Sequence, residues 1–198
     1  MTYDPDMKKD KVMDKIMGKG AERIPKSAFY IMTFLMKIMD FFGNYSNKRF
    51  RELGIKNGQK VIDYGCGPAR YLKNSSRAVG KKGRVYAVDI HPTAIKMAND
   101  KIKKFNLKNV KAIQADGYSV NIPENTADLI YALDMFHMVK EPDMLLRELR
   151  RLVKPDGFLI IDDGHQSREE TKYKIINSGF WNIEKEHENR LKCVPLNK

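Results

Sequence analysis

Apolar residues crowd one segment of this chain and alternate with polar ones through the rest. Between positions 28 and 42 only Thr33, Lys37 and Asp40 are polar. Their spacing places them on one narrow stripe of an otherwise apolar helix. Gly43-Asn44 is its stop signal. Ahead of it, Val12, Met13, Ile16 and Met17 mark a shorter amphipathic helix that Gly18 and Gly20 end. From residue 60 the pattern becomes strand runs alternating with helical ones. Residues 60–64 (KVIDY) predict a strand, 65–69 a turn, and a helix follows to about Val79. Strands are expected at 84–89, 110–114, 127–133 and 158–162, the last after a turn at Lys154-Pro155-Asp156-Gly157. Helices are expected at 92–105, with Lys96, Lys101, Lys103 and Lys104 facing solvent, at 141–153, with Met144, Leu145, Leu149 and Leu152 on one side, and at 167–177. Residues 181–187 and 190–194 read as a hairpin closed by Glu188-Asn189. Strands alternating with helices predict an α/β fold, a doubly wound, mostly parallel sheet with helices on both faces. Residues 1–44 read as an N-terminal helical appendage and 45–198 as the main domain.

In such a sheet, ligands bind beyond the carboxyl ends of the strands, where the strand order reverses. Three of those ends carry distinctive residues. The first strand runs into Asp63-Tyr64-Gly65-Cys66-Gly67-Pro68-Ala69-Arg70. Its two glycines permit a tight turn and close approach of backbone to a ligand, and the following helix offers free N–H groups. A dinucleotide fingerprint would need a glycine where Arg70 stands, which argues against a pyrophosphate. The second strand ends in Asp89-Ile90, and an acid there can accept both hydroxyls of a ribose. The third is followed by Ala115-Asp116-Gly117, where a carboxylate can accept from an exocyclic amine and glycine leaves room for a ring. The dipeptide is equally a turn signal.

Composition narrows the class. The chain has 198 residues and a net charge of +12, concentrated early. Residues 1–60 hold 13 Lys/Arg against 7 Asp/Glu, residues 61–110 hold 11 against 3, and residues 111–198 hold 13 against 15. A basic first half suits an anionic partner such as RNA, or simply a solvated lysine coat. No apolar run reaches the ~18–20 residues of a membrane span. The first residues lack the apolar stretch of a secretory signal, so a cytoplasmic location is expected. Cys66 and Cys193 are too few for a disulfide framework, a Cys-rich zinc module or a thiol-bound metalloid acceptor.

VIDYGCGPARY, VYAVDI, IQADG, ADLIYALDMFHMV and RELRRLVKPDGFLII together resemble the class I S-adenosylmethionine-dependent methyltransferases. The resemblance spans about residues 45–198. It is nearest to the small-molecule branch that holds the ubiquinone and menaquinone C-methyltransferases. It implies a Rossmann-like sheet of seven strands with the last antiparallel. It implies S-adenosyl-L-methionine as cofactor and S-adenosyl-L-homocysteine as product. Gly65, Cys66 and Gly67 would hold the cofactor through their backbone, and Asp63 would lie near its amino group. Asp89 would bind the ribose, with Ile90 on the adenine face. Asp116 and Gly117 would meet the adenine, and Leu133 the methionine portion. The loop departs from the family pattern at Ala69, where a third glycine is usual, so a slightly stiffer turn is expected.

The sulfonium is already activated, so holding an acceptor in line and removing a proton where needed suffices. Such positioning accounts for ~7–11 kcal/mol of a barrier. His137 and His165, after the fourth and fifth strands, are candidate bases because neighbouring strands bring their loops together; Asp134 is a third. Asp134, Asp162 and Asp163 resemble in position the magnesium ligands of catechol-type methyltransferases. Gly164 stands where an amide ligand would be needed, and no metal is expected. The Met- and Phe-rich helix at 28–42 is expected to cover the acceptor pocket as a lid, with Tyr30 and Tyr45 lining it. Alternatively it is extra core or an oligomer contact, or rests on a membrane surface beside Lys26, Lys48, Arg49 and Arg51. The leading expectation is methyl transfer to a small, partly apolar molecule. The alternatives are an RNA or protein methyltransferase and a non-enzymatic cofactor-binding protein.

Overall fold

A computed structural model of the protein describes residues 25–43 and 49–196. The elements are α1 (Lys26–Gly43), β1 (Lys60–Tyr64), α2 (Leu72–Val79), β2 (Arg84–Asp89), α3 (Pro92–Phe105), β3 (Val110–Gln114) and β4 (Ala127–Ala132). A single 3-10 turn (Phe136–Met138) follows, then α4 (Pro142–Leu152), β5 (Val153–Asp162), α5 (Arg168–Asn177), β6 (Trp181–His187) and β7 (Arg190–Pro195). The expected helix over 12–17 and Tyr45 lie outside the described residues.

The seven strands form one sheet in the order β3-β2-β1-β4-β5-β7-β6. Among the described strands β7 alone points opposite to the rest, pairing antiparallel with both β5 and β6. The chain leaves β1 toward β2 and β3, then returns to place β4 on the other side of β1, so the order reverses between β1 and β4. Asp63 is level with Ala87 of β2 and Tyr131 of β4, which brings the carboxyl ends of the central strands to one edge.

Alternating side chains of the central strands feed two cores, as a sheet covered on both faces requires. Ile62, Ile130, Leu159 and Ile161 pack with Leu145, Leu146, Leu149 and Leu152 of α4 and with Trp181. Trp181 donates its indole N–H to Leu146 O at 3.0 Å. On the opposite face Val61, Val85, Ala87 and Leu129 pack with Leu72 and Val79 of α2.

Four local expectations are corrected. Met144 is exposed and Leu146 is buried in its place; both choices give an apolar helix face, and tertiary packing selects one. Lys101 is turned inward, and its Nζ donates to Ala69 O at 2.9 Å. β5 begins at Val153 rather than Phe158: Val153 pairs with Ala127 and Phe158 with Leu129, so residues 154–157 bulge out of a continuous ladder. In α1 the apolar residues are not all covered. Thr33, on the expected polar stripe, is buried and donates its hydroxyl to Phe29 O at 2.8 Å. Ile31, Phe34, Leu35 and Ile38 are exposed. A helix apolar on nearly every side carries no phase in its sequence, so contact decides. That contact is Phe29, which stacks on the His91 ring at 4.8 Å and packs on Ala94.

Candidate functional site

The loop after β1 folds back over β2. Gly65 and Cys66 both donate their N–H to Val88 O, at 2.8 and 2.9 Å. Gly65 has φ +77, and a Cβ there would lie 2.8 Å from Met135 Cγ, so the position requires glycine. Ala69 has φ 56. An L-residue in this left-handed region costs roughly 1–2 kcal/mol, more than the slight stiffening expected. Lys101 steadies the carbonyl of that residue.

The loop borders a cleft with two lobes. One is lined by Phe29, Asp63, Cys66, Gly67, Arg70, Tyr71, His91, Leu133 and Asp134. The other is lined by Tyr64, Ile90, Ala115, Gly117, Tyr118, Met135 and Val139. Gly65, Asp89 and Met138 line both, so Asp89 stands at the junction. Its Oδ2 accepts Gly67 N–H at 2.8 Å and its Oδ1 accepts His91 N–H at 2.7 Å. A carboxylate has about four lone-pair sites, so each oxygen retains an acceptor position for a diol. Asp116 is exposed and, unlike its neighbours Ala115 and Gly117, is not among the residues that line the cleft; it sits in a turn closed by mutual backbone hydrogen bonds with Ser119 at 2.9 and 3.0 Å.

The first lobe is polar at depth. Asp63 is buried, and its Oδ2 meets no hydrogen-bond partner among the described residues. Burial pushes this carboxyl up to about 7, against the pull of a Tyr131 hydrogen bond. Burial also raises the Cys66 thiol, which stays neutral, so Cys66 offers backbone rather than thiolate.

Of the three candidate bases, Asp134 lines the cleft. It sits just past β4 with φ 56, a strained conformation of the kind found at functional sites. Arg49 holds it: Nη1 donates to both carboxylate oxygens at 3.1 and 2.9 Å, while Nη2 donates to Asp162. Asp134 N–H donates to Asp162 Oδ1 at 2.9 Å. Behind this fork, Arg190 donates to Arg49 O at 2.9 Å and to Glu52 at 2.6 Å. The guanidinium thus occupies the place where the two carboxylates converge, and Asp163 is engaged by Arg168 at 2.8 Å.

His137 and His165 do meet, edge to face at 4.8 Å, but neither is among the residues lining the cleft. His137 is tucked under Gly164, where a Cβ would lie 2.1 Å from its Nδ1. Burial, then His165, lowers its pKa to about 4, leaving it neutral and weakly basic. Tyr30 is 55% exposed on the outside of α1, while its neighbour Phe29 lines the cleft. Arg49, Phe29, Arg70, Tyr71 and Met138 were not foreseen as site residues. For Arg70 and Tyr71 a signal existed, since both directly follow the glycine turn.

A family model described as a methyltransferase domain matches residues 62–161. Demethylmenaquinone methyltransferase of Geobacillus stearothermophilus is 31% identical over 112 residues, 56% of this chain and 47% of that protein. The ubiquinone/menaquinone biosynthesis C-methyltransferase UbiE of Cronobacter sakazakii is 32% identical over 109 residues, 54% of this chain and 43% of that one. The chain therefore spans about half the length of the curated relatives it matches. Among solved structures, a SAM-dependent methyltransferase from Aquifex aeolicus has the same fold over 98% of this chain and all of its own, with a TM-score of 0.71 and 24% identity. A TehB-like methyltransferase from Corynebacterium glutamicum covers 87% of this chain and all of its own, with a TM-score of 0.69 and 16% identity. With the family model matched from β1 to the end of β5, across the whole glycine turn and the cleft beside it, this chain belongs to the methyltransferase-domain family.

Proposed function

We propose that the protein transfers a methyl group from S-adenosyl-L-methionine to a small, partly apolar acceptor. The observation that carries the reading is the two-lobed cleft with Asp89 at its junction. An apolar lobe of Ile90, Ala115 and Gly117 suits an adenine ring. The other lobe, mostly apolar but holding a buried, unpartnered Asp63 oxygen, suits the amino-acid end. The carboxylate between them suits the ribose that joins the two. When bound, the cofactor supplies an electrophilic methyl group that needs no covalent enzyme intermediate.

The chain's own residues then have defined tasks. Gly65, Cys66 and Gly67 present backbone and Leu133 walls the methionine end, while the adenine amine is assigned to Asp116 through the turn it shares with Gly117. Of the three candidate bases Asp134 is the one that lines the cleft, with its carboxylate held by Arg49, whereas His137 is turned away. Phe29 and Met138 add apolar wall, which favours an acceptor with apolar surface, and α1 contributes to the cover. The exposed Ile31, Phe34, Leu35 and Ile38 are compatible with contact to a membrane surface or another chain. Among the described residues no helix is long and apolar enough to cross a membrane.

The test is incubation with methyl-labelled S-adenosylmethionine and extract from the source cells, followed by separation into small-molecule, RNA and protein fractions. Label in the solvent-extractable small-molecule fraction is expected. Label confined to RNA or protein overturns the choice of acceptor class and favours the reading from the basic first half.

A pH dependence follows from Asp63. The carboxylate form pairs with an ammonium, whereas its protonated form at low pH does not. With Asp63 titrating at about 7, S-adenosylhomocysteine affinity is expected to fall as pH is lowered through neutrality, by up to about tenfold per unit. Calorimetry across that range checks it. A flat profile contradicts the pairing.

A further inference from the structure

We infer that the protein carries a second binding site, a basic groove at the sheet edge opposite the cleft, which holds the phosphate backbone of a single-stranded nucleic acid. The site is separate from the methyl-donor cleft and does not depend on that reading.

The chain gathers cations there without counter-charge. Residues 72–84 carry five Lys or Arg and no Asp or Glu, and residues 101–111 carry five more and again no acid. The first stretch forms α2 and enters β2, and the second closes α3 and enters β3. Since β2 and β3 are parallel neighbours, the two stretches meet at the amino ends of those strands. Between them lies an open cavity of about 610 Å³, with Arg77, Lys81, Arg84 and Lys108 on its walls. Asp89 stands at the other end of β2, ~17 Å from Arg84 at the usual rise of a strand, so a ligand held here lies away from the cleft.

The floor of the groove is fixed. Asn109 Nδ2 donates to the carbonyls of Ser76 and Gly80, both at 2.8 Å, and Ser76 Oγ donates to Asn109 Oδ1 at 2.6 Å. Gly83 presses on α2, where a Cβ would lie 2.5 Å from Val79 O. Among the described residues none of the four cations meets a carboxylate; Asp100 is engaged by Lys96 at 2.9 Å and Asp128 by Lys154 at 2.5 Å. A concave surface lined by one sign of charge concentrates counter-ions.

An aromatic ring decides the class of anion. Phe105, next to Asn106 on the groove wall, is 38% exposed. Lys73, one turn before Arg77 on α2, and Lys104 hold their Nζ atoms 4.6 and 5.6 Å from its ring centroid. Cations that track a backbone, beside a ring on which a base stacks, are the combination that binds single strands. A lone phosphate needs neither the ring nor cations from two chain segments. A membrane surface needs an apolar face to bury, and Phe105 is the one large apolar residue exposed in these two stretches.

The test is fluorescence anisotropy of the full chain with a labelled single-stranded RNA of about 12 nucleotides, titrated across a range of salt. Arg77→Gln, Lys81→Gln and Lys108→Gln together are compared with Arg147→Gln, Lys172→Gln and Lys185→Gln together, which remove equal charge from the later part of the chain. The groove variant is expected to bind about 100-fold more weakly at about 0.1 M salt and to lower the slope of log affinity against log salt by about 2. The other triple variant is expected to stay within about threefold of wild type. Phe105→Ala is expected to lose about tenfold with the slope unchanged. Wild type that leaves the RNA free overturns the site, and so do two triple variants that weaken alike. An unaffected Phe105→Ala removes the stacking and with it the case for a nucleic acid. Groove-dependent binding to phosphatidylserine vesicles with none to RNA also overturns the inference and assigns the face to a membrane. Should the groove variant fail to fold, Lys81→Gln and Lys108→Gln, both exposed, decide singly. Each is expected to lower the slope by about 0.7, and an unchanged slope in both overturns the site.

Discussion

Replacing Asp89 by alanine is expected to weaken S-adenosylhomocysteine binding by at least about 100-fold. The carboxylate serves two purposes at once. Toward the protein, it accepts the N–H groups of Gly67 and His91 at 2.8 and 2.7 Å, tying the glycine turn to the start of α3. Toward the cleft, it is the one charged group shared by both lobes. Alanine removes the acceptors for a ribose and also releases the loop that shapes the cavity. Asp89→Asn should lie between, since one carbonyl oxygen remains to accept. Calorimetry reads the affinity and thermal melting reads the loop. Affinity unchanged in Asp89→Ala contradicts the ribose assignment.

Arg49→Ala is expected to destabilise the fold by about 3–5 kcal/mol. Asp162 is 1% exposed and Arg49 is 9% exposed, so removing the guanidinium strands a carboxylate in low dielectric. The Asp134 contact adds less, because that side chain is 37% exposed and screened by solvent. For a chain of this size each kcal/mol moves Tm by about 2–4 °C, so a drop of about 10 °C is expected. The sign with pH is distinctive. Burial and the Asp134 charge already push the Asp162 carboxyl up, against the pull of Arg49. Without Arg49 it rises further above its unfolded value, so the variant regains stability as pH falls and loses it as pH rises. The gap to wild type should therefore narrow under mild acid, and adding Asp162→Asn should recover part of the loss at neutral pH. A variant as stable as wild type at neutral pH would show that the fork is not structural.

The loop and its acids were legible in the sequence because their signals are local. A strand run, two glycines, and an acid at each following strand end lie within short stretches whose period states what they are. The α/β order then places the strand ends together without reference to any side chain. Arg49 shows where this stops. Its partners lie 85 and 113 positions away, and nothing about an arginine after an apolar helix names them. Tyr30 and Phe29 show a second limit. Neighbours on a helix point about 100° apart, and a helix apolar all round does not say which of them faces inward. The histidine pair shows a third. Strand order brings His137 and His165 together, but the glycine at 164 lets one ring tuck beneath the loop, away from the cleft.

The central claim is that this cleft holds an adenosyl sulfonium cofactor rather than a dinucleotide. Calorimetric titration of the wild-type chain with S-adenosylhomocysteine, and separately with NAD, tests it directly. The predicted result is one S-adenosylhomocysteine bound per chain, with no heat from NAD. Saturable binding of NAD with none of S-adenosylhomocysteine would contradict it.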